Sequence, residues 1–479
     1  MPRTSLARLA AVASLALVAG AVPGALPAAS GADVTPSPGA AGVGDSYFPQ
    51  DGNGGYDVAR YVINDRYRFA TKTLTGSTRV EATATQALSR FNLDLVLTPT
   101  AVTVNGVAAS FTHGSHELVV TPRTPIADGA AFTVTVHYRG RPAAIKYGGE
   151  KPFFDDGTEM LAINEPHIGP WWFAVNDHPS DRAAYDVTMT VPQGKQVISN
   201  GRQVEQRRLH DGLSTWHWAI PQHIAPYQAF VVAGPYRLER GTSHGIPYLN
   251  AVSRQLPRNV QDSALTALRK SSAIVAWEAS QYGHYPYGVT GGVVTAIDTG
   301  FALECASRPV YSWWGSARQQ VGVEVHELAH QWFGDDVSVA KWRNIWLNEG
   351  FATYVEWAYA EAHGGPSAES TLKNYYATWP RGDSFWDLTI SNPGPHHLFA
   401  YPVYARGAMT LQALRHKIGK AKFATLLQQW VKTRAGKPSA SYQFERLAEQ
   451  VSGQDLDAFF RAWIKTTGRP AKTAANGLD

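Results

Sequence analysis

The run His326-Glu327-Leu328-Ala329-His330 carries two imidazoles four positions apart, and Glu349 follows after eighteen intervening residues. On a helix, positions i and i+4 lie on one face a turn apart, so His326 and His330 can grip one metal ion. A catalytic zinc takes three protein ligands and keeps a fourth position open, and a carboxylate arriving from a second helix completes such a set. Glu349, in Asn348-Glu349-Gly350, meets that need. Glu327 sits between the histidines and cannot ligate with them. It is placed instead to act as general base toward water and then as proton donor to a leaving group. The chemistry expected is hydrolysis assisted by one Zn2+ per chain, the ion activating water and polarising a carbonyl.

A five-residue pattern with two free positions also arises by chance on an ordinary amphipathic helix, and the flanks decide between the two readings. His330-Gln331-Trp332-Phe333-Gly334 ends the first helix on a glycine, and Trp346-Leu347-Asn348-Glu349-Gly350-Phe351-Ala352 opens an apolar helical run. At about 1.5 Å rise per residue, the stretch between them has room for a helix end, a loop and a return. Glu349 then comes back opposite His326 and His330.

With these residues the chain resembles the aminopeptidase-N family of zinc metallopeptidases, whose signature is this pattern with a glutamate after an eighteen-residue gap. Phe301-Ala302-Leu303-Glu304 resembles the family's Gly-x-Met-Glu-Asn strand, and the resemblance implies that Glu304 holds the free amino group of a substrate. Val403-Tyr404-Ala405-Arg406-Gly407-Ala408 resembles its Tyr-x-Lys-Gly-Ala segment, which implies that the Tyr404 hydroxyl donates to the oxyanion of the tetrahedral intermediate. Asn164-Glu165-Pro166, followed by Trp171-Trp172-Phe173 and Asn176-Asp177-His178-Pro179, resembles an amino-terminal segment in which a Gln or Glu also contacts that amine; here it is Glu165. The resemblance spans residues 50 to 466. It departs at Phe301, Leu303 and Cys305, which replace the strand's Gly, Met and Asn. Arg406 stands where the family has Lys, a planar fork in place of a point charge, and is expected to alter substrate contacts more than chemistry.

The activity so implied is that of a zinc aminopeptidase acting on peptides with a free amino terminus. A thermolysin-like endopeptidase would share the zinc set without any use for Glu165 and Glu304. A non-catalytic binding module on the same fold would show loss of a ligand, of Glu327 or of Tyr404, and none is lost. His396 and His397 lie in a Pro/Gly-rich loop without ligand spacing to the first site, and Asp335 and Asp336 read as helix caps or as groups supporting the site. Cys305 is the single cysteine, so no intramolecular disulfide forms, and it reads as a small buried residue. These motifs do not identify the preferred first residue, the oligomeric state or the biological substrate.

With 43 basic against 39 acidic residues and the basic ones scattered, the chain shows no stripe for nucleic acid. Arg3 and Arg8 precede an apolar stretch, Leu9 to Val22, and small residues through Ser30, the layout of a cleaved secretory signal peptide over residues 1–30. The apolar run is short for a bilayer span of about 20 residues, and no other segment is expected to cross a membrane.

Residues 31–45 read as a flexible Gly/Pro/Ala-rich lead. Residues 46–255 read as an amino-terminal β domain, sandwich- or saddle-like, in which Thr133-Val134-Thr135-Val136-His137-Tyr138 alternates and Val104-Asn105-Gly106-Val107 offers a tight hairpin. Residues 256–466 read as a thermolysin-like, mostly helical α/β catalytic domain. Val260 to Trp277 has helical period, Gly291 to Ile297 forms a strand leading toward Glu304, and residues 467–479 make a tail. Full-length members of the resembled family usually carry a further helical domain roofing the site, and this sequence is expected to lack it.

Overall fold

In the β-rich first half, side-chain alternation builds an eight-stranded sheet. The computed structural model describes residues 35–312 and 317–479. The expected signal peptide, residues 1–30, lies wholly outside them. The strand order is Arg202–Arg208, Leu213–Ile224, Ala183–Pro192, Tyr56–Arg68, Thr73–Ala84, Ala131–Gly140, Thr98–Val104 and Val107–Ala108. Only the Ala183–Pro192 and Tyr56–Arg68 pair runs parallel. Along Ala131–Gly140, Phe132, Val134, Val136 and Tyr138 point into the core while their neighbours face outward, as period two requires. The alternation of Tyr56–Arg68 slips at Ala59–Arg60, where the pairing register with Thr73–Ala84 also shifts; one extra residue there returns Tyr61, Ile63 and Tyr67 to the buried face. Asn105 and Gly106 both have positive φ, 50° and 77°, the turn that the Asn-Gly pair favours between paired Val104 and Val107.

Two four-stranded sheets flank this one: Ser37–Pro38, Leu88–Asp94, Glu117–Thr121 and Ser110–His113 in order, and Phe153–Asp155, Met160–Ala162, Val231–Gly234 and Gln196–Ser199. The first includes residues expected to be a flexible lead. Ser37–Pro38 instead pairs with Leu88 and Arg90, and Asp45 is buried, accepting from the Trp342 backbone at 2.8 Å and lying 3.3 Å from His178 Nε2. Described lead residues are therefore docked, held by partners that composition alone does not reveal.

A five-stranded sheet, Tyr236–Ser243, Ile246–Ser253, Thr290–Thr295, Val310–Ser312 and Ala302–Leu303 in order, underlies the helices. Its first hairpin, which the sequence reading assigns to the β domain, pairs in parallel with Thr290–Thr295 and so shares the sheet that leads to Glu304. The helices are α1 (Gly169–Trp172, a single turn), α2 (Arg258–Leu268), α3 (Ser271–Tyr282), α4 (Ala317–Ala329), α5 (Trp346–Ala362), α6 (Ala368–Thr378), α7 (Tyr401–Ile418), α8 (Lys420–Arg434), α9 (Ser441–Ser452) and α10 (Asp457–Phe460, again a single turn). The period read across Val260–Trp277 is thus two helices, broken at Arg269–Lys270.

Two glycines set the crossing that matters most. A Cβ on Gly350 of α5 would lie 2.8 Å from Gly407 Cα, and one on Gly407 of α7 would lie 2.6 Å from Gly350 Cα. The backbones touch because neither residue has a side chain, which draws the turns bearing Glu349 and Tyr404 together. The carboxy-terminal residues expected as a tail pack onto this layer: Trp463 Nε1 donates to the Asn476 carbonyl at 3.0 Å, and Leu478 is buried. Residues 36–479 form one compact unit. Among the described residues no helix is long and apolar enough to cross a membrane.

Candidate active site

Helix α4 carries His326 and Glu327 in its last turn, and His330 follows directly. The chain then turns sharply at Gly334, whose φ of 131° suits glycine and where a Cβ would lie 3.2 Å from His330 Nδ1. The return delivers Glu349 in the first turn of α5. His326 Nε2 and His330 Nε2 lie 3.3 Å and 3.4 Å from the same Glu349 oxygen, Oε2. Ligands held about 2.1 Å from a tetrahedral ion are separated by about 3.4 Å, so each imidazole nitrogen already stands at zinc spacing from the carboxylate oxygen.

The remaining ring nitrogens have partners of their own. His326 Nδ1 lies 2.7 Å from Glu356 Oε1, and His330 Nδ1 lies 3.0 Å from the Phe333 carbonyl. Each contact makes Nδ1 the protonated nitrogen and leaves the Nε2 lone pair facing Glu349, the tautomer a metal ligand requires. Two nitrogens and one carboxylate oxygen are a donor set that suits zinc.

Two neighbouring glutamates are driven in opposite directions. Burial would raise Glu349, but the facing His330 and His326 outweigh it and hold its carboxyl down at about 2, a permanent anion. Burial pushes Glu327 up to about 8, with His326 and His330 only partly offsetting it. An acid poised there both takes and returns a proton near neutral pH. Tyr404, partly buried, stacks on His326 with ring centroids 5.9 Å apart and planes 22° from parallel. Burial, then the negative charges of Glu349 and Glu165, hold its phenol well above the usual range, so it remains a hydrogen-bond donor.

Glu165 and Glu304 line the same cleft of about 370 Å³ as His326, Glu327, His330, Glu349 and Tyr404. Each has a buried Oε1 with no hydrogen-bond donor among the described residues. Burial raises both carboxyls, and the charge of Glu304 raises Glu165 further. Two unanswered acids side by side call for a cation between them. The edge strand Ala302–Leu303 positions Glu304, and Gln331 Nε2 fixes its carbonyl at 2.8 Å.

The fold thus brings all seven expected residues to one cleft, while the expectation for Arg406 does not hold. Arg406 does not face substrate. It is fully buried and donates to the carbonyls of Trp386, Leu388, Ala462, Thr466 and Gly468, so it ties α7 to the carboxy-terminal segment. Its planar fork reaches several carbonyls at once, which explains Arg here in place of Lys. Asp335 and Asp336 cap no helix: the Asp335 backbone N–H donates to the His330 carbonyl at 2.8 Å, and Asp336 Oδ1 accepts from the Gly436 backbone at 3.1 Å. Cys305 is buried, and His396 and His397 are exposed and belong to no metal-ligating cluster among the described residues. Glu356 was legible only as the residue two turns beyond Glu349 on the same helix face.

Residues 306–463 match the peptidase family M1 domain. The chain is 26% identical over 341 residues to aminopeptidase N of Streptomyces lividans, covering 64% of this chain and 38% of that protein. With leucyl aminopeptidase of Saccharolobus solfataricus it shares 22% over 459 residues, 86% of this chain and 54% of that one. The chain therefore spans about two fifths to one half of the length of these relatives. Among solved structures, an M1 zinc metallopeptidase mutant of Deinococcus radiodurans bound to a Tyr-Ser-Ala substrate superposes with a TM-score of 0.80 at 27% identity, covering 91% of this chain and 100% of that one. A two-domain M1 zinc metallopeptidase mutant bound to L-arginine gives 0.80 at 26%, covering 90% and 98%.

Proposed function

We propose that this chain, which belongs to the M1 zinc metallopeptidases, is an aminopeptidase that removes amino-terminal residues from peptides. The observation that carries this reading is the pair Glu165 and Glu304, whose unpartnered oxygens share the cleft with the zinc-ligand set. They would hold the substrate's terminal ammonium, which fixes the scissile bond one residue along.

His326, His330 and Glu349 hold the single catalytic Zn2+, which when bound supplies Lewis-acid polarisation of the carbonyl and activation of water. Glu327 removes the proton of the attacking water and returns it to the amine nitrogen as the C–N bond breaks. The Tyr404 hydroxyl donates to the oxyanion that develops on the former carbonyl oxygen. An endopeptidase on the same ligands would leave Glu165 and Glu304 buried without purpose. The Arg3, Arg8 and Leu9–Val22 pattern supports export and cleavage of residues 1–30. A panel of fluorogenic aminoacyl amides tests the activity. Hydrolysis that stops with a chelator and returns with zinc is expected, and no hydrolysis of any member by zinc-loaded protein would overturn the reading.

A further inference from the structure

The amino-terminal region holds a second convergence of metal-binding side chains, away from the catalytic ligands. Strands Leu88–Asp94 and Glu117–Thr121 pair antiparallel with Asp94 opposite Glu117, so the register sets two acids across from each other and His116 beside them. His116 Nε2 lies 3.6 Å from Glu117 Oε1 and 4.0 Å from Asp94 Oδ1. Its Nδ1 is engaged by the Tyr147 hydroxyl at 2.5 Å, and the nearest other group to Nε2, the Gln50 carbonyl at 3.5 Å, is beyond a good hydrogen bond.

Each acid is anchored through one oxygen and presents the other. Asp94 Oδ2 accepts from the Asp177 backbone at 2.7 Å and from Asn53 Nδ2 at 3.2 Å; Glu117 Oε2 accepts from Asn92 Nδ2 at 2.8 Å. Asp94 Oδ1 and Glu117 Oε1, the oxygens nearest Nε2, are buried with no hydrogen-bond partner, and Asp94 is only 1% exposed. Asp94 and His116 open onto a cavity of about 190 Å³, in whose wall Asp177 leaves a third buried oxygen unpartnered. Two other acids of this cavity, Asp51 and Glu150, flank His167 at 2.5 Å and 3.0 Å and so already have a partner for their charge. Asp94, Glu117 and Asp177 each keep one buried oxygen without a donor, and a cation among them would answer those oxygens.

We propose that Asp94, His116 and Glu117 form a second, non-catalytic metal site for a divalent transition ion such as Zn2+ or Mn2+. One imidazole with two carboxylates suits these ions, whereas Ca2+ takes six to eight oxygens. The His116 nitrogen stands 3.6 Å and 4.0 Å from the two carboxylate oxygens, wider than the 3.3 Å and 3.4 Å of the catalytic set, so the ion draws the three together and clamps the strand pair to the His116 loop.

Elemental analysis of metal retained through gel filtration, after chelator-treated protein is reloaded with Zn2+ or Mn2+, tests the site. Wild type is expected to retain two equivalents, and Glu117→Gln and His116→Gln one each, both still hydrolysing aminoacyl amides when loaded with zinc. His330→Ala should also retain one equivalent, now at the second site. The near-isosteric Glu117→Gln decides the matter should His116→Gln misfold. A single equivalent in wild type, or a second equivalent that survives Glu117→Gln, would overturn the proposal.

Discussion

Glu356 lies 2.7 Å from Nδ1 of His326 while Glu349, seven positions earlier on the same helix, faces Nε2 of that ring at 3.3 Å. One face of α5 thus presents both a carboxylate of the proposed ligand set and the group that orients His326, and the imidazole is held at both nitrogens. Such supporting carboxylates fix the tautomer and raise ligand basicity. Glu356→Ala should weaken zinc binding about 10–100-fold, while saturating zinc restores most of the turnover. Chelator competition reads this directly, and an unchanged zinc affinity would show that the contact is incidental.

Glu327→Gln separates the base from the ligands. The amide keeps the shape but cannot take a proton, and the ligand set His326, His330 and Glu349 does not include Glu327. Zinc content should remain at the wild-type level while turnover falls about 100–10,000-fold. Loss of metal together with activity would place Glu327 among the ligands instead.

Tyr404 is held against His326 by stacking, with its phenol kept protonated, so it is ready to donate when negative charge develops on the substrate oxygen. Removing one such donor costs about 100–1,000-fold in turnover. Tyr404→Phe should show that loss in kcat with KM little changed, since the oxyanion exists only beyond the ground state. A turnover number equal to wild type would mean that the hydroxyl does not reach the reacting oxygen.

The residues assigned to the chemistry were legible because their types and spacing are what a metal and a charged substrate would require: His326, His330 and Glu349 could be placed on two facing helices from the eighteen-residue gap together with its flanks, Gly334 ending the first helix and the apolar run from Trp346 opening the second. What positions them was less so. Gly350 and Gly407 lie 57 residues apart in sequence, and nothing local announces that their backbones meet. Arg406 sat in a recognisable motif, yet its burial depends on carbonyls contributed by Trp386 and Thr466, which only the tertiary fold collects. The β-hairpin Tyr236–Ser253 looks like its predecessors in period. It joins the catalytic sheet because its partner, Thr290–Thr295, lies beyond two helices in the chain.

Burial of Glu278 in α3, with both carboxylate oxygens unpartnered among the described residues and Glu324 adding like charge, drives its carboxyl well above the usual range. The folded state therefore binds a proton that the unfolded chain releases at about pH 4.3. Its contribution to stability is fully present below that pH and is lost as pH rises toward the folded value. Glu278→Gln keeps the shape and removes the titration. Thermal unfolding from pH 5 to 9 should show the variant gaining on wild type as pH rises. Parallel melting-temperature profiles would mean that Glu278 is ionised in the fold.

Exopeptidase and endopeptidase differ here in one respect, whether the cleft needs the substrate's ammonium. Glu165 and Glu304 are buried beside the zinc ligands with an unpartnered oxygen each, and the effective dielectric in such a cleft is well below that of water, so a single positive charge between them is attracted far more strongly than at an exposed acid. Acetylating the substrate's amino terminus removes that charge and should nearly abolish cleavage. Glu304→Gln should lower kcat/KM for free-amine peptides while leaving zinc content unchanged, because the ligand set His326, His330 and Glu349 does not include Glu304. It should also shrink the preference for free over acetylated substrate, a ratio that a purely structural defect would leave alone. Efficient internal cleavage of an acetylated peptide by the wild-type protein would assign the zinc site to an endopeptidase, with Glu165 and Glu304 serving some purpose other than holding an amine.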